Sequence, residues 1–498
     1  MEDAPPSSRR ARRDARRAGA SAGTETPAGA DDAAEFFAAS AGPVDEASVG
    51  EGRPVALGWL EDSAIGVRPA PTGLADATHP YAAVSVDLLA QRPRRTPLRP
   101  GVVLPFLTAL AVVGAYAATT LLWPLYAVTP VVEQVEVADV AAPATAVAWP
   151  AAGSAAIGVA GFDGAVASST DRVPIASIAK VVTSLMILDE MPLAPGESGP
   201  TFAFTARDRQ TYYNYLEDDE SALNVPVGGS LTQYQMLQGI LIGSAGNYAD
   251  RLASTIWPTD DVFASAATAW LARKDLSGIT LVEPTGIDTD DAADPASLIR
   301  LARLAMADPV IAEIVRTPSV TLPGAGEVVN TNDLLATPGV VGIKTGSLSR
   351  AYNLLAAKEL TVGDTTVRAY ATALGQPSDE ARDTETARLL DAVLAEVSQP
   401  RILPAGTVVG TVTAPWGATT QIVTDADASL LLWNGAASPV TSDLSLGDAR
   451  DAGDAVGTVS MKGPLGDAST GAHLAGDIPD PDPWWRLTHP LQLFGLID

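Results

Sequence analysis

The chain of 498 residues contains no cysteine, which excludes disulfides, thiolate metal sites and a catalytic thiol. Histidine is almost as scarce: there are His79, His473 and His489, and none between residues 126 and 400. Neither a Ser-His-Asp triad nor a histidine-ligated zinc site can be assembled from that region. Basic residues are outnumbered, 32 Lys plus Arg against 59 Asp plus Glu, for a formal charge of -27. So acidic a surface repels phosphate and argues against a nucleic-acid partner. A serine hydrolase built on the middle of this chain must use a base other than histidine, and lysine is the obvious candidate.

Residues 1–100 are rich in Ala, Pro, Gly, Ser and acidic residues, with twelve arginines and no lysine. They lack sustained periodicity and read as a disordered tail. Residues 101–126 carry no charge and are rich in Leu, Val, Ala and Phe, a run long enough to span a bilayer as one helix. Arg92, Arg94, Arg95 and Arg99 precede it, and Trp123 and Tyr126 end it. The basic flank predicts a cytoplasmic N-terminus, with everything beyond the helix outside. Residues 127–150 suit a stalk. Residues 151–397 alternate strand-like and helix-like runs, predicting an α/β (α+β) sheet covered by helices. In that segment Thr211 to Glu220 reads as a loop, whereas Asp294 and Pro295 cap a helix running to Ala307. Residues 398–498 show short strand-like pieces separated by Gly, Pro, Asn and Asp, a small all-β module. The adjacent Trp484 and Trp485 in its tail are expected to pack onto a domain.

Ser177 and Lys180 stand three residues apart, ahead of the apolar run Val181 to Leu188. On a helix that spacing puts both side chains on one face. A serine hydroxyl needs a neighbouring base, and a desolvated lysine can lose its proton and serve as one. Further along, Gly243-Ser244-Ala245-Gly246-Asn247 forms a turn between two helical runs. Lys344-Thr345-Gly346 then ends a strand-like run.

In that order the three segments match the signature Ser-x-x-Lys, Ser-x-Asn, Lys-Thr-Gly of the penicillin-recognising serine enzymes. The stretches Pro174 to Leu188, Val225 to Leu252 and Val329 to Leu355 resemble the low-molecular-mass penicillin-binding proteins that act as D-alanyl-D-alanine carboxypeptidases. The resemblance covers about residues 150–397. It implies a β-lactamase/transpeptidase-like fold and an acyl-enzyme on Ser177, with Lys180 taking the serine's proton and Ser244 relaying one to the leaving amine. It further implies that the backbone N–H groups of Ser177 and Ser347 form an oxyanion hole, while Lys344, Thr345 and Gly346 meet the substrate. Arg382 is the candidate for the substrate's carboxylate, its other reading being a surface helix arginine. The substrate would be a peptidoglycan stem peptide ending in D-Ala-D-Ala, with β-lactams as covalent inhibitors and no metal or organic cofactor. One departure stands out. The place two residues after Ser244 holds Gly246, and Asn247, one residue later, is the candidate for the substrate-binding amide.

The leading reading is therefore a membrane-anchored, serine-type D-alanyl-D-alanine carboxypeptidase. A non-catalytic or weakly active peptidoglycan-binding homologue is the alternative that Gly246 motivates, and a β-lactamase is the third.

Overall fold

A computed structural model describes residues 100–497. The expectation for residues 1–99 lies outside the described residues. The apolar run folds as helix α1 (Pro100–Leu122). Its stretch Val103–Leu122 is long and apolar enough to cross a membrane and is almost wholly exposed. Twenty residues at about 1.5 Å each give roughly 30 Å, the thickness of a hydrocarbon core.

The expected stalk is instead partly strand: β1 (Val131–Gln134) pairs with a strand nearly three hundred residues later. The main sheet uses β2 (Ser154–Val159), β3 (Val166–Ala167), β4 (Val340–Leu348), β5 (Ala351–Val362) and β6 (Thr365–Gln376). It is antiparallel, in the order β4-β5-β6-β2-β3. Side chains alternate across a strand, and here both faces are buried. Ala156, Leu355 and Ala357 face one apolar core, while Ile157, Leu354 and Ala356 face another. An α/β sheet covered by helices is what the chain forms.

The first core is closed by helices α2 (Ala179–Glu190), α4 (Gln233–Leu241), α5 (Gly246–Ile256), α6 (Asp260–Arg273), α7 (Pro295–Ala307) and α8 (Pro309–Val315), while α3 (Ala206–Glu217) packs on α5 and adds no residue to that core. Helix α2 is buried from Ala179 to Leu188, in keeping with a run, Val181 to Leu188, that is apolar apart from Thr183 and Ser184. Helix α7 begins as expected, with the Asp294 carboxylate accepting from Ser297 N at 2.8 Å and Pro295 in its first turn. Helix α3 corrects the loop reading of Thr211 to Glu220. It is polar, buries only Tyr215, and is held at its start by a capping box between Thr205 and Asp208.

The second core lies under helix α9 (Asp379–Val397) and the C-terminal module. That module contains β7 (Val408–Thr413), β8 (Thr419–Thr424), β9 (Val440–Leu444), β10 (Ala455–Gly463) and β11 (Gly466–Leu474). With β1 they form a six-stranded sheet, β1-β7-β8-β11-β10-β9. Val409, Ile422, Val459 and Leu474 belong to the same cluster as Ile157, Leu389 and Leu390. The module is thus a layer over the outer face of the main sheet, sharing its core. In the tail Trp485 packs edge-on against Trp416 and stacks on His489, while Trp484 is exposed.

Candidate active site

Ser177 sits in a single 3-10 turn, Ala176–Ile178, that feeds directly into α2. Lys180 is 1% exposed, and its Nζ lies 2.8 Å from Ser177 Oγ and 2.6 Å from the carbonyl oxygen of Thr285. The helical spacing thus delivers the contact that the sequence suggested, and burial keeps water from competing for it. The carbonyl partner comes from residues 283–287, which local sequence patterns do not announce. That loop folds around Glu283, whose carboxylate accepts from Thr285 N at 2.8 Å and Ile287 N at 2.7 Å. Behind it lies Asp291, whose carboxylate accepts from Val282 N at 2.6 Å. Burial first, and then the charge of Glu283, push the Asp291 carboxyl well above the usual carboxylate range.

Strand β4 comes against the serine's turn. A Cβ on Gly346 would lie 2.7 Å from the Ile175 carbonyl oxygen and 3.2 Å from Ser177 N. Only glycine allows so close an approach, which brings the backbone at Gly346 and Ser347 to the serine's own N–H. Asn353 on β5 reinforces the junction, donating to the Pro174 carbonyl at 3.1 Å and accepting from Gly375 N at 2.8 Å. Sequence reasoning missed Asn353, because its partners are backbone groups far away in the chain.

Lys344 is 1% exposed and donates to the Thr345 carbonyl at 3.0 Å. Burial, then the neighbouring charges of Lys180 and Arg382, hold its pKa well below the ordinary lysine value. The Thr345 hydroxyl is 2.6 Å from that of Thr331, and Thr331 N donates to the Ile242 carbonyl at 3.2 Å. These bonds tie the third motif to the approach of the second. Arg382 is not a surface arginine. It is 3% exposed in the first turn of α9, with Nη1 2.6 Å from Asp379 Oδ1 and Nε 2.9 Å from Asp383 Oδ1.

Ser244 lies in the turn between α4 and α5, both of which pack on α2. It is buried and adopts φ +57°, a conformation costing on the order of 1 kcal/mol for a non-glycine residue. Asn247 is committed elsewhere: its Oδ1 accepts from Leu223 N at 3.0 Å, and its Nδ2 donates to Leu223 O at 2.8 Å. It lines a separate cavity of about 490 Å³ that includes none of the motif serines and lysines. The cleft that holds Ser177 and Lys180 is about 250 Å³, walled by Asp218, Ser221, Ile287 and Ser347. A half-buried serine against a buried lysine, with the Gly346 strand close to the serine's N–H and further cations nearby, suits nucleophilic attack on a carbonyl.

Residues 164–375 match the family model described as D-alanyl-D-alanine carboxypeptidase. The D-alanyl-D-alanine carboxypeptidase DacB2 of Mycobacterium tuberculosis is 31% identical over 185 residues, which is 36% of this chain and 59% of that protein. The chain thus spans less than two thirds of that relative's length. Among solved structures, a D-alanyl-D-alanine carboxypeptidase from Mycobacterium tuberculosis aligns with 26% identity and TM-score 0.43, covering 51% of this chain and 96% of that one. The Streptomyces K15 DD-transpeptidase aligns with 21% identity and TM-score 0.44, covering 50% and 100%. The family match spans the serine, the turn and the lysine strand, so residues 164–375 are similar to the D-alanyl-D-alanine carboxypeptidase family.

Proposed function

We propose that this protein is a membrane-anchored serine-type D-alanyl-D-alanine carboxypeptidase that trims peptidoglycan stem peptides outside the cell. The observation that carries the reading is the 2.8 Å contact between Ser177 Oγ and the buried Lys180 Nζ, with the strand of Gly346 against Ser177 N. In the proposed reaction Lys180 takes the hydroxyl proton as Ser177 Oγ bonds to the carbonyl carbon of the penultimate D-alanine. The N–H groups of Ser177 and Ser347 hold the oxyanion. The C–N bond then breaks, and the terminal D-alanine leaves with a proton passed through Ser244. Water afterwards cleaves the ester, returning the proton to the serine. Lys344, Thr345 and Arg382 face the carboxylate of the departing residue. Helix α1 is the anchor, and the arginines before it favour a cytoplasmic N-terminus.

Incubating the protein with an acyl-D-Ala-D-Ala peptide tests the reading. Release of free D-alanine by the wild type and none by Ser177→Ala is the expected result. Equal release by both, or none by either, overturns it. Gly246 favours a second reading, a homologue that binds peptidoglycan without turnover. That reading predicts peptide binding with no D-alanine released.

A further inference from the structure

The place two residues after Ser244 has no side chain, and the structure shows what fills the room. A Cβ on Gly246 would lie 2.5 Å from Tyr215 Cε1 and 3.2 Å from the Ser221 carbonyl oxygen. Tyr215 comes from α3, is 4% exposed, and its hydroxyl bonds to the carboxylate of Asp250, one turn further along α5. The first three residues of α5 then grip the segment that follows α3. Gly246 N donates to Ser221 O at 2.8 Å, Asn247 holds both backbone groups of Leu223, and the Tyr248 hydroxyl donates to Asn224 O at 2.7 Å. On the other side, Glu220 N donates to the Tyr215 carbonyl at 2.9 Å. Residues 215–224 are thus fixed from both ends. Ser221, exposed itself, stands in the cleft wall facing the space shared by Ser177, Lys180 and Ser347.

We propose that Ser221 makes the substrate contact for which Gly246 has no side chain, and that Tyr215 is the positioning residue that holds Ser221 there. An amide side chain both donates and accepts hydrogen bonds, and so does a hydroxyl. Asp218 and Asp219 in the same wall only accept when ionised. The group met is a backbone amide of the stem peptide on the acyl side of the scissile bond, since the leaving side faces Lys344 and Arg382. The inference rests on the proposed carboxypeptidase reading and goes further by naming what replaces the second motif's amide.

The test uses the full chain in detergent or nanodiscs, a peptide ending in D-Ala-D-Ala, and fluorescent penicillin. Ser221→Ala removes an exposed hydroxyl and keeps the carbonyl that Gly246 N needs. It is expected to lower kcat/KM by about fivefold or more, the effect of losing a hydrogen bond worth ~1 kcal/mol. The thermal midpoint should not move, and Ser221→Thr should recover the wild-type rate to within about twofold, well inside that effect. In a Tyr215→Gly/Gly246→Asn background, which returns an amide to the vacated place, Ser221→Ala should cost less than about twofold, well under one such hydrogen bond. An unchanged rate for Ser221→Ala, a Thr variant as slow as Ala, or a loss that tracks a lowered midpoint overturns the inference. A wild type that shows no Ser177-dependent penicillin labelling defeats the carboxypeptidase reading, and this inference with it. A labelled, active wild type that is insensitive to Ser221→Ala defeats this inference alone.

Discussion

Gly286 and Ala176 touch so closely that no side chain fits between them. A Cβ on Gly286 would fall 2.0 Å from the Ala176 carbonyl oxygen, and Gly286 has φ +80°. This contact seats the loop that supplies the Thr285 carbonyl to Lys180 against the turn that carries Ser177. Gly286→Ala must move one or the other. Misplacing a reacting group by about 1 Å can cost roughly a hundredfold in rate. We expect penicillin acylation by this variant to slow by about that factor in stopped-flow labelling, with the fold retained by circular dichroism.

Overpacking at the second motif is a matter of stability. Gly246→Asn alone drives a side chain into the Tyr215 ring and is expected to destabilise by about 1–3 kcal/mol in urea unfolding. Tyr215→Gly opens a cavity and also destabilises. Because the two changes occupy one space, the double variant should be more stable than the sum of the singles predicts, by roughly 0.5–3 kcal/mol. Strict additivity would show that the two positions do not share that space.

Arg382 is held in place by Asp379 and Asp383 and contributes to the depressed pKa of Lys344. If it meets the substrate's terminal carboxylate, Arg382→Gln removes a charged hydrogen bond worth about 1.5–3 kcal/mol. The predicted effect is a kcat/KM about 10–100 times lower on a peptide with a free C-terminus. Assayed on the C-terminally amidated peptide, wild type and variant should differ far less.

Lys344 gives a pH dependence whose sign is fixed. Its folded pKa lies below the ordinary value of 10.5, so between the two the unfolded chain binds more protons than the folded one. Stability therefore rises with pH across that window as the buried ammonium loses its cost, and Lys344→Met should remove this contribution. Urea midpoints measured from neutral pH to about pH 10 will show a shallower pH dependence in the variant. Parallel curves would mean that Lys344 is not desolvated.

What the sequence made legible was what depends on short spacing. Ser177 with Lys180, and Lys344 with Gly346, are linear motifs whose geometry follows from one helical turn or one strand end. Helix α7 was legible because Asp294, Pro295 and the apolar face all agree. Helix α3 was not, because a polar helix with one buried tyrosine carries no apolar stripe to read. The pairing of β1 with β7 joins segments far apart in the chain, so no local pattern signals it. The same holds for the Thr285 carbonyl and for Asn353, which act through backbone groups. The departure at Gly246 was visible, but that Tyr215 fills its place emerges only when α3 packs on α5.

The proposed reaction turns on Ser177 as the nucleophile. Intact-protein mass spectrometry after incubation with benzylpenicillin tests it most directly. The prediction is one added penicilloyl mass on the wild type, mapped by peptide digestion to Ser177, and none on Ser177→Ala. An adduct that persists in Ser177→Ala, or a wild type left unmodified by excess benzylpenicillin, would contradict it.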